Sequence, residues 1–103
     1  MRADIQWSDP AFAKLEGLPE QLAFEIVHRI GLLASFPEMG LSLRSLYPQL
    51  KNCRQLILSN SYRVIYEFSE DDETVSILEV QHCRLRLPTA AELKHRRDQH
   101  GSE

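Results

Sequence analysis

The sequence predicts an α+β domain in the order β-α-α-β-β-β: an antiparallel sheet covered on one face by a helical pair, plus a marginal C-terminal helix. Three observations carry that prediction. A proline-punctuated stretch from Pro10 to Pro37 repeats apolar residues at helical spacing. Three strand-like runs then follow one another through short polar connections. One alternating segment, Asp4-Ile5-Gln6-Trp7, stands ahead of the helices.

In Asp4-Ile5-Gln6-Trp7 the polar and apolar residues alternate, so Ile5 and Trp7 face inward from a first strand. Ser8-Asp9-Pro10 is a helix start, a capping side chain followed by proline in the first turn. The first helix runs from Pro10 to about Leu15 and stops at Gly17. A second begins near Pro19, carries Leu22, Ile26, Ile30 and Leu33 on one stripe, and ends at Pro37. Strands are predicted over Asn52–Leu58, Tyr62–Ser69 and Thr74–His82. Ser59-Asn60-Ser61 and Glu70-Asp71-Asp72-Glu73 are connections of hairpin length, which makes an antiparallel meander with the Tyr62 strand in its middle. Thr89-Ala90-Ala91-Glu92 after Pro88 has capping-box spacing for a helix toward Gln99. Leu93 is its only large apolar residue, so this helix is expected to be marginal and a candidate for ordering by a partner.

The chain has 103 residues, 43% of them hydrophobic, enough for one core and too few for two domains. Residues 1–103 are therefore read as a single domain, with 89–103 as a potentially flexible helix and tail. No run approaches the ~18 apolar residues of a membrane span, and Met1-Arg2-Ala3-Asp4 lacks an apolar signal segment. A cytoplasmic protein is expected, with no membrane partner. Cys53 and Cys83 are both placed in strands and read as reduced packing residues.

The net charge is −3, which taken alone argues against a nucleic-acid partner. The distribution says otherwise: residues 44–66 hold four bases and no acid, 67–79 six acids and no base, and 80–97 five bases and one acid. If the fold joins the two basic segments they form a local anion-attracting patch; if not, they merely solvate separate faces. Lys94-His95-Arg96-Arg97 with His100 reads as a basic terminus rather than a metal site. The four glycines are scattered, so no phosphate-binding loop exists. No cofactor is called for.

Several segments together resemble the RelE/ParE superfamily, the toxin halves of bacterial type II toxin-antitoxin pairs. They are Ile5-Gln6-Trp7-Ser8, Leu15 through Leu18-Pro19, Phe36-Pro37 with Gly40, Cys53-Arg54-Gln55-Leu56, Tyr62-Arg63-Val64-Ile65-Tyr66-Glu67-Phe68, and Ile77-Leu78-Glu79-Val80-Gln81-His82. The resemblance implies a small antitoxin that folds on binding, with DNA reached only through it. It also implies one of two activities. Members resembling RelE cleave messenger RNA on the ribosome, and members resembling ParE inhibit DNA gyrase without cutting RNA.

Metal-free RNA cleavage needs the 2'-hydroxyl to attack the adjacent phosphate, a cation to stabilise the phosphorane, and groups to move protons. Arg63 matches the family's strand arginine that contacts the scissile phosphate; its plain alternative is a sheet-face arginine paired with a carboxylate such as Glu67 or Glu79, although four residues of strand, roughly 13 Å, stand between Arg63 and Glu67. His82 and Arg84 would project from one face roughly 7 Å apart if the strand persisted, with His82 exchanging a proton and Arg84 holding charge. The alternative for His82 is a hydrogen-bonded surface residue. Arg54 aligns with one of a pair of basic residues in ribonuclease members, and Lys51, Arg44 and Arg86 are further candidate RNA contacts. Catalytic roles are thus assigned to Arg63, His82 and Arg84. Two departures weigh against the enzyme: Leu56 replaces the second basic residue of that pair, and Leu87-Pro88 stands where a tyrosine is common. A third reading is a weakly toxic, antitoxin-binding autoregulator.

Overall fold

The computed structural model describes residues 2–59 and 61–99. Asn60 of the first predicted turn and His100 of the basic terminus lie outside them. The elements are β1 (Asp4–Trp7), α1 (Asp9–Glu16), α2 (Glu20–Gly31), a 3-10 turn (Leu32–Ala34), β2 (Leu41–Ser42), β3 (Cys53–Leu58), β4 (Tyr62–Ser69), β5 (Thr74–His82) and α3 (Ala90–Arg97). The strands form one sheet in the order β1-β5-β4-β3-β2. β4 is central, and β3, β4 and β5 are the predicted antiparallel meander. Two features extend the sequence prediction. β1 joins β5 in parallel at one edge, and the two-residue β2 pairs antiparallel with β3 at the other.

The helical face forms as the apolar stripes require. Ser8 is buried and caps α1, its hydroxyl accepting from the Ala11 N–H at 3.2 Å and donating to the Leu78 carbonyl at 3.0 Å. One side chain thus starts the helix and fixes it to β5. Ala11 and Leu15 of α1, Ile26 and Ile30 of α2, and Leu33 pack against Leu56, Leu58, Val64, Tyr66, Val75, Ile77 and Val80.

A bulge controls which residues of β5 take part. Ile65 pairs with Glu79 but Tyr66 pairs with Ile77, leaving Leu78 as the extra residue. Ile77 and Val80, three apart, therefore both face the helices, while Leu78 turns to the second face. Beyond the bulge, Gln81 lies opposite Arg63 and His82 opposite Tyr62.

The second face carries a smaller core of its own. Cys53, Ile65 and Leu78 are covered by Leu43, Tyr47 and Leu50 of the β2–β3 connection and by Leu93 of α3. α3 has the predicted capping box, the Thr89 hydroxyl accepting from the Glu92 N–H at 3.1 Å and the Glu92 carboxylate from the Thr89 N–H at 2.8 Å. Leu93 is 0% exposed, so the helix expected to be marginal is docked within the chain. The Tyr47 hydroxyl donates to the Pro88 carbonyl at 2.7 Å and ties the two covering segments together.

Tyr66, in the middle of β4, is the anchor of the 37–40 loop. Its hydroxyl donates to the Pro37 carbonyl at 2.8 Å and accepts from the Gly40 N–H at 2.9 Å. Burial pushes its phenol above the ordinary value. A Cβ at Gly40 would stand 2.7 Å from the Tyr66 hydroxyl and 2.7 Å from the Gln55 carbonyl, distances no side chain tolerates. Gly40→Ala is expected to destabilise the domain by about 1–3 kcal/mol, lowering Tm by several degrees in thermal denaturation. An unchanged Tm would show that the loop moves aside freely.

Candidate functional site

Arg63 emerges from β4 on the second face, between Ile57 of β3 and Gln81 of β5. One terminal nitrogen donates to Gln55 Oε1 at 3.3 Å and the other to the Cys83 carbonyl at 2.8 Å. Its Nε is buried without a partner. Every acceptor on this guanidinium is neutral. The carboxylates considered for pairing with it, Glu67 and Glu79, instead hold arginines of α3. Arg97 reaches Glu67 at 2.9 and 2.6 Å, and Arg96 reaches Glu79 at 2.7 Å. Its hydrogen bond to Glu67 raises the Arg97 pKa. Among the described residues Arg63 has no ion-pair partner, which favours the binding of an anion.

His82 closes β5 on the helical side, edge-on to Tyr62 with ring centroids 5.1 Å apart. Its Nδ1 accepts from the Arg84 N–H at 3.0 Å, which leaves Nε2 carrying the hydrogen of the neutral ring and available to a ligand. The strand does not persist to Arg84. The Leu85 N–H bonds back to the His82 carbonyl at 3.0 Å, closing a turn, so the same-face spacing expected for His82 and Arg84 does not apply. Arg84 is instead an exposed turn residue. The three catalytic candidates still meet at this turn. Arg63 reaches its Cys83 carbonyl from one face, His82 receives its Arg84 N–H from the other, and Arg84 lies within it.

The remaining candidates separate. Arg54 lies opposite Tyr66 and on the helical face. It donates to the Gly40 and Glu38 carbonyls at 2.7 and 3.3 Å, bracing the 38–40 loop. Three residues of strand, roughly 10 Å, and the sheet itself divide it from Arg63. Arg44 and Lys51 are exposed at the other end of β3. Arg86 sits closer to the turn and pairs with Glu92 at 3.4 Å. Leu56, the departure from the basic pair, is a core residue of the helical face.

Gln55 and Gln81, which hold or face Arg63, were not singled out from sequence. Nothing distinguishes a strand glutamine until the register is known. No group of three or more side chains able to hold a metal ion occurs among the described residues, and no described helix is long and apolar enough to cross a membrane.

A family model described as ParE toxin of the type II toxin-antitoxin system, parDE, matches residues 5–86. A search of curated proteins by sequence finds no match. Among solved structures, the toxin-antitoxin complex RelBE2 from Mycobacterium tuberculosis is similar at 25% identity and TM-score 0.68, covering 80% of this chain and 99% of that one. A mutant of E. coli RelE in the free state matches at 17% identity and TM-score 0.70, covering 93% of this chain and 94% of that one. The archaeal RelE-RelB complex from Pyrococcus horikoshii matches at 17% identity and TM-score 0.55, covering 80% and 96%. The likenesses at 17% are of fold.

Beneath the site, Cys53 is 0% exposed, and burial, with Glu67 second, pushes its thiol up to about 12. Cys83 is only partly buried. At pH 8 a thiol reagent is expected to modify one cysteine of the native chain and both after denaturation. The Cys53 contribution to stability is complete below the ordinary thiol value of about 8.5 and is lost as pH rises toward 12, so urea midpoints should fall on the alkaline side. Rapid native reaction of both thiols would mean that the second core is open.

Proposed function

The chain belongs to the ParE toxin family of type II toxin-antitoxin systems, within the RelE/ParE superfamily, and from the setting of Arg63, not from that membership, we propose that it is a metal-independent mRNA endoribonuclease. It acts on ribosome-bound message in the cytoplasm and is neutralised by a small cognate antitoxin. The observation that carries the reading is Arg63: a strand guanidinium held by neutral oxygens, with its Nε buried and unpaired. Such a group is preorganised for negative charge that develops on a phosphate.

In this reaction the ribose 2'-oxygen attacks phosphorus, the bond to the 5'-oxygen breaks, and a cyclic phosphate and a 5'-hydroxyl result. Arg63, with Arg84 from the turn, stabilises the phosphorane oxygens. His82 gives the departing 5'-oxygen a proton from Nε2, the nitrogen its turn leaves available, and regains one from solvent, while the proton of the attacking 2'-hydroxyl is lost to water. The antitoxin has apolar surface to cover, since Phe24 on α2 is 75% exposed and Phe36 after it 61%. A segment that folds on binding would bury both.

A second reading, inhibition of DNA gyrase without RNA cleavage, is favoured by two observations. No aromatic residue follows Phe68 to replace the tyrosine of ribonuclease members, and His82 approaches from the face opposite Arg63.

Mapping 5' ends on a translated message separates the two. The ribonuclease reading expects new codon-phased ends with the wild-type protein, a drop of roughly 100-fold or more with Arg63→Ala, and a smaller loss with His82→Ala. Intact messages at growth-arresting levels, with accumulated gyrase-DNA cleavage complexes and indifference to His82→Ala, would establish the second reading.

A further inference from the structure

Gln81 is the side chain the proposed chemistry leaves unused, and it is 4% exposed. Its amide nitrogen donates to the Arg86 carbonyl at 3.3 Å, but its Oε1 is buried with no hydrogen-bond partner. Directly opposite in register stands Arg63, whose Nε is likewise buried and unpaired. An orphaned acceptor and an orphaned donor thus belong to residues paired in register, near the ends of β4 and β5 that meet the Cys83 turn. Buried polar groups are normally satisfied, so these two atoms are open to a partner that water or a ligand can supply.

Gln81 also lines a cleft of about 230 Å³ beside α3, which contributes Glu92 and Arg96 to it. Its charged walls cancel, with Arg96 bonded to Glu79 at 2.7 Å and Arg86 to Glu92 at 3.4 Å. The cleft therefore has little to attract a free anion or a cation, and what it lacks is a neutral hydrogen-bond donor. Leu85 and Pro88 give it an apolar side. A neutral, flat group carrying an N–H next to an acceptor suits it, which is the chemistry of a nucleobase edge.

We propose that Gln81 is a specificity-determining residue that reads the edge of one nucleobase in the RNA whose phosphate Arg63 holds, its amide turning into the cleft so that Oε1, buried in the free protein, accepts a hydrogen bond from the base. The inference rests on the ribonuclease reading and names what that site recognises beyond phosphate. RNA binding then has two parts, a base-independent one at Arg63 and a base-dependent one at Gln81.

The test titrates isotope-labelled protein with the four nucleoside 3'-monophosphates and with inorganic phosphate, following amide shifts by NMR. The wild type is expected to bind at least one nucleotide about tenfold more tightly than phosphate. Gln81→Leu should lose that advantage while keeping its affinity for phosphate, and Arg63→Ala should lose both. If Gln81→Leu does not fold, Gln81→Met, closer in shape, takes its place. On messages, the base distribution at the cut sites should flatten in the Gln81 variant. Equal nucleotide-to-phosphate ratios in wild type and variant would overturn the proposal. So would a parallel loss of phosphate and nucleotide binding, because Gln81 would then only position Arg63. Base-selective binding that depends on Gln81, in a protein that cuts no message, would support this inference and overturn the ribonuclease reading.

Discussion

Glu67 and Glu79 lie on the same face of the sheet as Arg63, and the rest of the site depends on how they are engaged. Each is held by an arginine of α3, Glu67 by Arg97 and Glu79 by Arg96. These pairs are partly exposed, so their value for stability is modest, about 1 kcal/mol or less each. Their larger consequence is one of allocation. Glu79, the carboxylate close enough in register to be a candidate for neutralising Arg63, is occupied by the helix that covers the face, and Glu67, roughly 13 Å along β4 from Arg63, is occupied as well. Leu93, buried between the same helix and the sheet, holds the arginines where this allocation is possible.

The bulge at Leu78 acts on the same site from the strand side. Without it, alternation from Val75 and Ile77 would carry Glu79 and Gln81 to the helical face and His82 to the second face. With it, Glu79 comes within reach of Arg96, Gln81 stands beside Arg63, and His82 is set against Tyr62. One inserted residue therefore decides which polar groups surround the arginine. Sheets carry bulges next to functional sites for this kind of redirection.

Much of the fold is legible in the sequence because its signals are local. Ser8-Asp9-Pro10 starts α1, the Leu22 to Leu33 stripe defines α2, short acidic and serine-rich turns join the meander, and Thr89 with Glu92 starts α3. What escapes depends on partners distant in sequence. A two-residue strand such as Leu41–Ser42 has no periodicity to detect, and the parallel pairing of β1 follows only from its place beside β5. The docking of α3 rests on Leu93 meeting a hollow made by residues 43 to 78, which no count of apolar residues in the helix reveals. Among the site residues, Arg63 is legible because a charge inside an apolar strand must be held by something. The bracing role of Arg54 is not, because it depends on where the 38–40 loop passes, and that path is set by Tyr66 and Gly40.

A partly buried arginine with an unpaired Nε, in register with a glutamine whose amide oxygen is also unpaired, is a cost to the free protein. The fold carries that cost because two cores flank β4, one under the helical pair and one under α3, and neither depends on Arg63. The turn at Cys83 shares the burden, lending a backbone carbonyl to the guanidinium and an N–H to His82. Those are weak, neutral contacts that an incoming phosphate, a charged acceptor, can outcompete. The polar groups are thus held in position by the structure without being satisfied by it. That condition lets binding energy appear when a ligand arrives rather than being expended in folding.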